Sequence, residues 1–356
     1  MTHDTGVTRS KARAARDLLA LLAALVPAAI ATVSPACATN QDGARVGDAR
    51  AGVSTSRPAF PPRPERRASA EFNRVWRDGR AEMSGYRMIV PRYGALRPAE
   101  LVLIYVTEPM DRRTWIKDDN VPAEHRVDVL KLNISLKFET GIYPYSVLTS
   151  VFAPIDAYGG DRFRPTKITM SAQEWCGHVF SGVWPGRDRF AAQTISYFAS
   201  EGERSEIVRT PEDALYEDAL LIQLRELDGP FARGGDWRGA IVPSLWRVRR
   251  GHVEPRATDA TIARSSAELD GVPVTRFVLR DGDYQRTFDV ERAAPRRIVH
   301  WTSSDGEDAT LLRTARLRYW EMNGPGGEAH RTELGLPPLP EETVASPDAG
   351  ATRVGF

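Results

Sequence analysis

From Val129 to Phe138 the chain reads VLKLNISLKF, with Leu130, Leu132, Ile134, Leu136 and Phe138 alternating against Lys131, Asn133, Ser135 and Lys137. A period of two places the apolar set on one face of an extended segment and the polar set on the other, which predicts a half-buried strand with one wetted face. The unbroken run Leu101 to Val106 (LVLIYV) predicts a more central strand. Further extended segments are predicted over 81–90, 142–152, 167–179, 190–198, 240–246, 257–263, 272–279, 284–290, 297–302 and 310–321, separated by turn signals such as Gly159-Gly160, Asp281-Gly282 and Asp305-Gly306.

Helical signals are few. Thr210 offers an N-cap, Pro211 suits a first turn, Glu212 and Asp213 follow, and Leu220, Leu224 and Leu227 form an apolar stripe suited to covering one face of a sheet. A second short helix is predicted over 70–75. Many strands at short spacing with few helices predict a mainly β fold: a large curved antiparallel sheet or partly open β-barrel with one or two packed helices. It occupies residues 70–335, and the glycine-rich stretch 229–239 (GPFARGGDWRG) marks where two sheet halves would meet.

Outside those limits the pattern changes. Arg9, Lys11, Arg13 and Arg16 precede a 16-residue uncharged run from Leu18 to Val33, so residues 1–38 read as a signal peptide; a membrane span needs roughly 20 residues. Cleavage after Ala36-Cys37-Ala38 would discard Cys37, whereas cleavage before Cys37 would leave it as the lipid-bearing first residue of a lipoprotein. Residues 39–69 are rich in Gly, Ala, Pro, Ser and Arg and read as a disordered tether, as residues 336–356 (beginning LPPLPEE) read as a disordered tail. The predicted location is exported, periplasmic or an outer-membrane lipoprotein, with membrane contact only through a lipid on Cys37. Removing residues 1–38 from the 48 basic and 47 acidic residues leaves 44 against 45, which provides no electrostatic footprint for nucleic acid.

Candidate chemistry concentrates in Ser171 to His178, SAQEWCGH. Read as one strand, it puts Glu174, Cys176 and His178 on a shared face. Three readings follow. Cys176 is a thiol nucleophile activated by His178 and assisted by Glu174; or the three donors bind zinc, the one metal this set would suit, no other cofactor being expected; or Cys176 is a small buried hydrophobe with no chemistry. Tyr143, Tyr145 and Trp175 are the aromatic candidates for lining a ligand groove, against the simpler reading of strand residues with one exposed edge. Glu201 and Glu203 fit a solvated turn. There is no Gly-rich phosphate loop, G-x-S-x-G elbow or H-E-x-x-H pair.

The segments RYGALRPAELVLIYVTE, VLKLNISLKFETGIYPYSVLTSVFAPID, SAQEWCGHVF and SYFASEGE, between Phe72 and about Leu227, together resemble a group of uncharacterised exported bacterial proteins. Some members carry the label septum formation inhibitor Maf. True Maf pyrophosphatases open with a Ser-Pro-Arg-Arg-type loop, whereas Pro295-Arg-Arg297 lies late in this chain, so the resemblance implies no pyrophosphatase activity. Thr275 to Tyr319 is weakly similar to the curved sheets of periplasmic lipoprotein carriers. The expected function is therefore an exported, non-catalytic envelope protein binding an apolar ligand or an envelope component on its curved sheet. The alternative is a Cys/His-dependent, metal-assisted enzyme centred on Glu174, Cys176 and His178.

Overall fold

The computed structural model describes residues 62–339. The predicted signal peptide, Cys37, most of the tether and most of the tail lie outside the described residues. Helix α1 (Ala70–Trp76) leads into β1 (Ala81–Arg92) and β2 (Ala95–Asp111); the short β3 (Ile116–Lys117) is followed by β4 (Arg126–Thr140), β5 (Tyr143–Pro154), β6 (Lys167–Glu174), β7 (Gly177–Pro185), β8 (Arg189–Ser196) and β9 (Glu203–Arg209). The two-residue β10 (Leu215–Tyr216) runs directly into α2 (Glu217–Glu226). Next come β11 (Trp237–Val242), α3 (Leu245–Gly251), β12 (Thr258–Leu269), β13 (Val272–Asp281), β14 (Tyr284–Glu291), β15 (Ile298–Ser303) and β16 (Asp308–Leu317).

These strands form one 16-stranded sheet in the order β10-β11-β12-β13-β14-β15-β16-β1-β2-β4-β5-β6-β7-β8-β9, with β3 beside β2. Neighbours are antiparallel apart from β10 and β11. The sheet is not closed, since β9 and β10 remain its two ends. The stretch 229–239, with a 3-10 turn at Gly229–Arg233, does lie in the chain between the two halves, β1–β9 before it and β11–β16 from its end onward, but the halves pair elsewhere, where β16 meets β1. The VLKLNISLKF alternation holds, with Leu130, Leu132, Leu136 and Phe138 buried and Lys137 exposed.

Several elements depart from the sequence pattern. The predicted 167–179 strand is two strands, and the predicted 240–246 strand ends at Val242, after which Ser244 accepts a hydrogen bond from the Arg247 amide and starts α3. Thr210 and Pro211 stand in a turn closed by the Ala214 amide, so the main helix begins only at Glu217. That helix is not amphipathic in its setting. Every residue from Glu217 to Arg225 is buried, because the sheet curves around it. Tyr105 of β2 donates its hydroxyl to the Leu221 carbonyl at 3.0 Å, Glu82 of β1 meets Arg225 at 2.7 Å, and Arg286 of β14 meets Glu217 at 3.0 Å. Leu220, Leu224 and their neighbours pack on the concave side; small cavities remain against the sheet, one of about 40 Å³ beside Leu221 and Trp301 and one of about 160 Å³ between Leu224, Leu227, Phe277 and Val290.

The last part of the predicted tether is held to the fold: Arg66 forms a β-bridge with Ala157 and pairs with Asp228, and the Ala68 amide donates to Asp156 at 2.9 Å. Ser69 caps α1, which buries Phe72 and Trp76 one turn apart. On the outer face a 3-10 segment, Gly327–Leu334, covers β1 and β16, and Leu334 and Leu336 pack on Val102. Leu336, predicted to open the tail, is therefore buried. Gly85 makes this contact feasible, since a Cβ there would overlap the Leu334 carbonyl oxygen. Among the described residues no helix is long and apolar enough to cross a membrane.

Candidate ligand-binding site

Because the strands alternate in direction, the turns β1/β2 (Tyr93-Gly94), β4/β5 (Gly141-Ile142), β6/β7 (Trp175-Cys176), β13/β14 (Gly282-Asp283) and β15/β16 (304–307) gather at one end of the sheet, here called the upper rim. Helix α2 starts there, and α3 lies across it.

Ser171 to His178 is a hairpin at this rim. Gln173 pairs with His178 and Glu174 with Gly177, leaving Trp175 and Cys176 as the turn. Glu174, Cys176 and His178 consequently do not share a strand face, which corrects the arrangement expected from the sequence. The Glu174 carboxylate accepts the Cys176 amide at 2.7 Å. Cys176 is exposed rather than buried, so the reading of a small core hydrophobe also fails. A hydrogen bond to the Glu174 carboxylate pushes its thiol above the ordinary value, the opposite of what activates a nucleophile. Among the described residues no group of three or more His, Cys, Asp or Glu side chains is arranged to hold a metal ion. Glu201, expected to be solvated, is part-buried: burial would raise its carboxyl, but hydrogen bonds from Ser196 and His252 outweigh that and lower it.

The three aromatic candidates, in contrast, lie together. Tyr143 and Tyr145 are two apart on β5 and share a face, and Phe138 is the direct cross-strand partner of Tyr145 on β4. Ring centroids run from Trp175 to Tyr143 at 6.2 Å, Tyr143 to Tyr145 at 6.1 Å and Tyr145 to Phe138 at 4.9 Å, the last pair stacked 4° from parallel. Trp246 of α3 continues the row at 6.2 Å from Phe138. These separations are within the attractive range for aromatic pairs. The row grades outward, from buried Tyr145 through half-buried Tyr143 to Trp175, which is 68% exposed.

Two partners were not legible in the sequence. Tyr93, at φ 54° in the β1/β2 turn, brings its hydroxyl within 2.5 Å of the Tyr145 hydroxyl. Arg92 lies over both rings, 4.3 Å from the Tyr93 centroid and 5.3 Å from that of Tyr145, and donates to both hydroxyls. Partial burial and the Tyr145 hydroxyl raise the Tyr93 phenol. The only signal for this pair was the Tyr93-Gly94 turn; that β1 and β5 bring residues 92 and 145 together depends on sheet order.

Behind the row, five carboxylates face three guanidinium groups. Glu217 accepts from Arg286, Arg247 and the Ser244 amide; Asp218 accepts the Leu245 amide at 2.9 Å; Arg250 joins Asp305 and Glu307; and Arg247 also reaches Asp281. Burial, then the neighbouring Glu217, push Asp218 up to about 7.

A wider opening of about 1030 Å³ lies near the residues leading into and out of α2, lined by loop residues such as Gly159, Pro165 and Gly234 together with Tyr216 and Trp237. Comparison with protein-family models, with curated proteins and with solved structures finds no match, which leaves the rim residues as the basis for assigning a function.

Proposed function

We propose that this protein is a non-catalytic, exported envelope protein that binds an apolar or aromatic ligand, or an envelope partner presenting such a group, along Trp175, Tyr143, Tyr145 and Tyr93. The observation that carries the reading is the graded aromatic row at the upper rim, which offers ring faces from solvent inward and a phenol–arginine cluster at its inner end. On this reading the ligand sits at the rim, since α2 occupies the concavity. The export assignment rests on the basic and apolar pattern of residues 1–38, with anchoring through Cys37 as its lipoprotein form.

The test uses N-phenyl-1-naphthylamine, a neutral apolar probe whose emission rises on binding. The parent should bind it saturably. Removing two aromatic contacts in Tyr143→Ala/Trp175→Ala, at about 1 kcal/mol each, should weaken binding by at least about fivefold. Equal binding by parent and double variant would remove the row from consideration as a site.

A further inference from the structure

We infer that the inner end of the aromatic row is an anion subsite built on Arg92, so that the ligand is an amphiphile carrying a phosphate or carboxylate head group. The inference rests on the aromatic-row reading and adds the chemistry of the head group to it.

Among the described residues four arginines are buried: Arg92, Arg225, Arg249 and Arg286. Arg225 pairs with Glu82, Arg249 with Glu201 and Arg286 with Glu217. Arg92 is 6% exposed, yet among the described residues no carboxylate lies within 4.0 Å of it. Its guanidinium donates only to the hydroxyls of Tyr145 at 3.2 Å and Tyr93 at 3.3 Å, and its Nε has no partner. Two neutral phenols do not neutralise a buried cation, and a charge left in this state is costly unless a counter-ion arrives.

The space for one is present. Arg92 borders a cleft of about 320 Å³, with Pro91, Tyr93, Gly94, Arg247, Arg250 and Asp305. Three guanidinium side chains and one carboxylate line it; Arg247 and Arg250 are already paired with carboxylates, so Arg92 is the cation there that a ligand anion would neutralise, and the buried Nε of Arg250 is a further unpartnered donor. Tyr93 belongs both to this cleft and to the aromatic row, so an anionic group placed here leaves an attached chain or ring alongside Tyr93, Tyr145 and Tyr143. The planar fork of arginine suits phosphate and carboxylate oxygens.

The experiment compares full-length parent with Arg92→Met, which keeps the stem's bulk and removes the unpaired charge, so the variant should fold at least as well as the parent. Octyl phosphate, octanol and inorganic phosphate are titrated by calorimetry, with thermal unfolding as a second readout. The parent should prefer octyl phosphate over octanol by at least about tenfold, and Arg92→Met should lose that preference while retaining octanol binding. If inorganic phosphate alone raises the parent's melting temperature but not the variant's, the subsite takes free phosphate as well; if only octyl phosphate acts, the head group of an amphiphile is the source. A parent that binds both octyl compounds equally, or a variant that keeps the preference, overturns the anion subsite and leaves the apolar site standing. Phosphate acting on parent but not variant, with neither octyl compound bound, keeps the subsite and removes the apolar reading. Equal stabilisation of both proteins by phosphate marks an adventitious ion only and overturns the inference, as does no response to any of the three.

Discussion

Asp218→Asn should flatten a pH dependence of stability that the parent carries at neutral pH. The Asp218 carboxyl is sealed beneath α3, and its ordinary value near 3.8 is raised to about 7 by burial and by the adjacent Glu217. Between these values the folded protein holds a proton that the unfolded chain has released. Stability then falls as pH rises, since unfolding is favoured wherever the native state binds more protons. At about 1.36 kcal/mol for each tenfold change in proton affinity, the full penalty is about 4 kcal/mol, absent below about pH 4 and complete above about pH 7. Asparagine has the same shape, still accepts the Leu245 amide through its side-chain oxygen, and does not ionise. Urea unfolding of parent and variant from pH 4.5 to 8 isolates this group, because carboxyls shifted elsewhere, Asp228 and Glu226 upward and Asp289 downward, cancel in the difference. The variant should gain on the parent by several kcal/mol across the series. A gain below about 1 kcal/mol, or one that shrinks as pH rises, would refute the assignment of the excess proton to Asp218.

Two further outcomes follow from buried and exposed charge. Arg225→Met should cost about 3–5 kcal/mol, because it strands Glu82, which is left with the longer contact to Arg316 at 3.9 Å; Glu82→Gln added to it should recover most of the loss, and a single-variant cost below about 1 kcal/mol by urea unfolding would contradict the pairing. Cys176 should react with iodoacetamide in the folded protein, with a midpoint above the ~8.5 of a free thiol, and Glu174→Gln should move the midpoint down; labelling seen only after denaturation would mean that the hairpin turn is buried.

The sheet was legible wherever one face is wet. The Leu130 to Phe138 alternation identifies β4 because core and solvent each take one side. β9 was not predicted, since only Val208 is buried along it and an end strand with so little apolar content has no period to detect. The β6/β7 hairpin was hidden for another reason: its two turn residues are Trp and Cys, with none of the Gly, Asn or Asp that announce tight turns. The α2 boundaries were misread because Thr210 and Pro211 imitate a helix start, and its enclosure was unforeseen because Glu217, Asp218 and Arg225 look like solvent positions until their partners on β1, β14 and α3 are known. The aromatic row lies between these cases. Tyr143, Tyr145 and Trp175 were visible as residue types, but Phe138 and Arg92 join them through register and strand order.

The pairing of β1 with β16 fixes when this molecule can finish folding. Ala81 sits opposite Leu317, so the seam unites the first long strand with the last. During synthesis, β1 through β9 can assemble as a meander of local hairpins, but the edge of β1 stays unpaired until β16 has emerged. An open edge of this length is a template for pairing with other chains. Seam formation also carries the long loop-closure cost that slows folding of non-local topologies. Gly327–Leu334, arriving after β16 and laid across the seam, then covers the joint, so a chain truncated before Gly327 would complete its sheet without this cover.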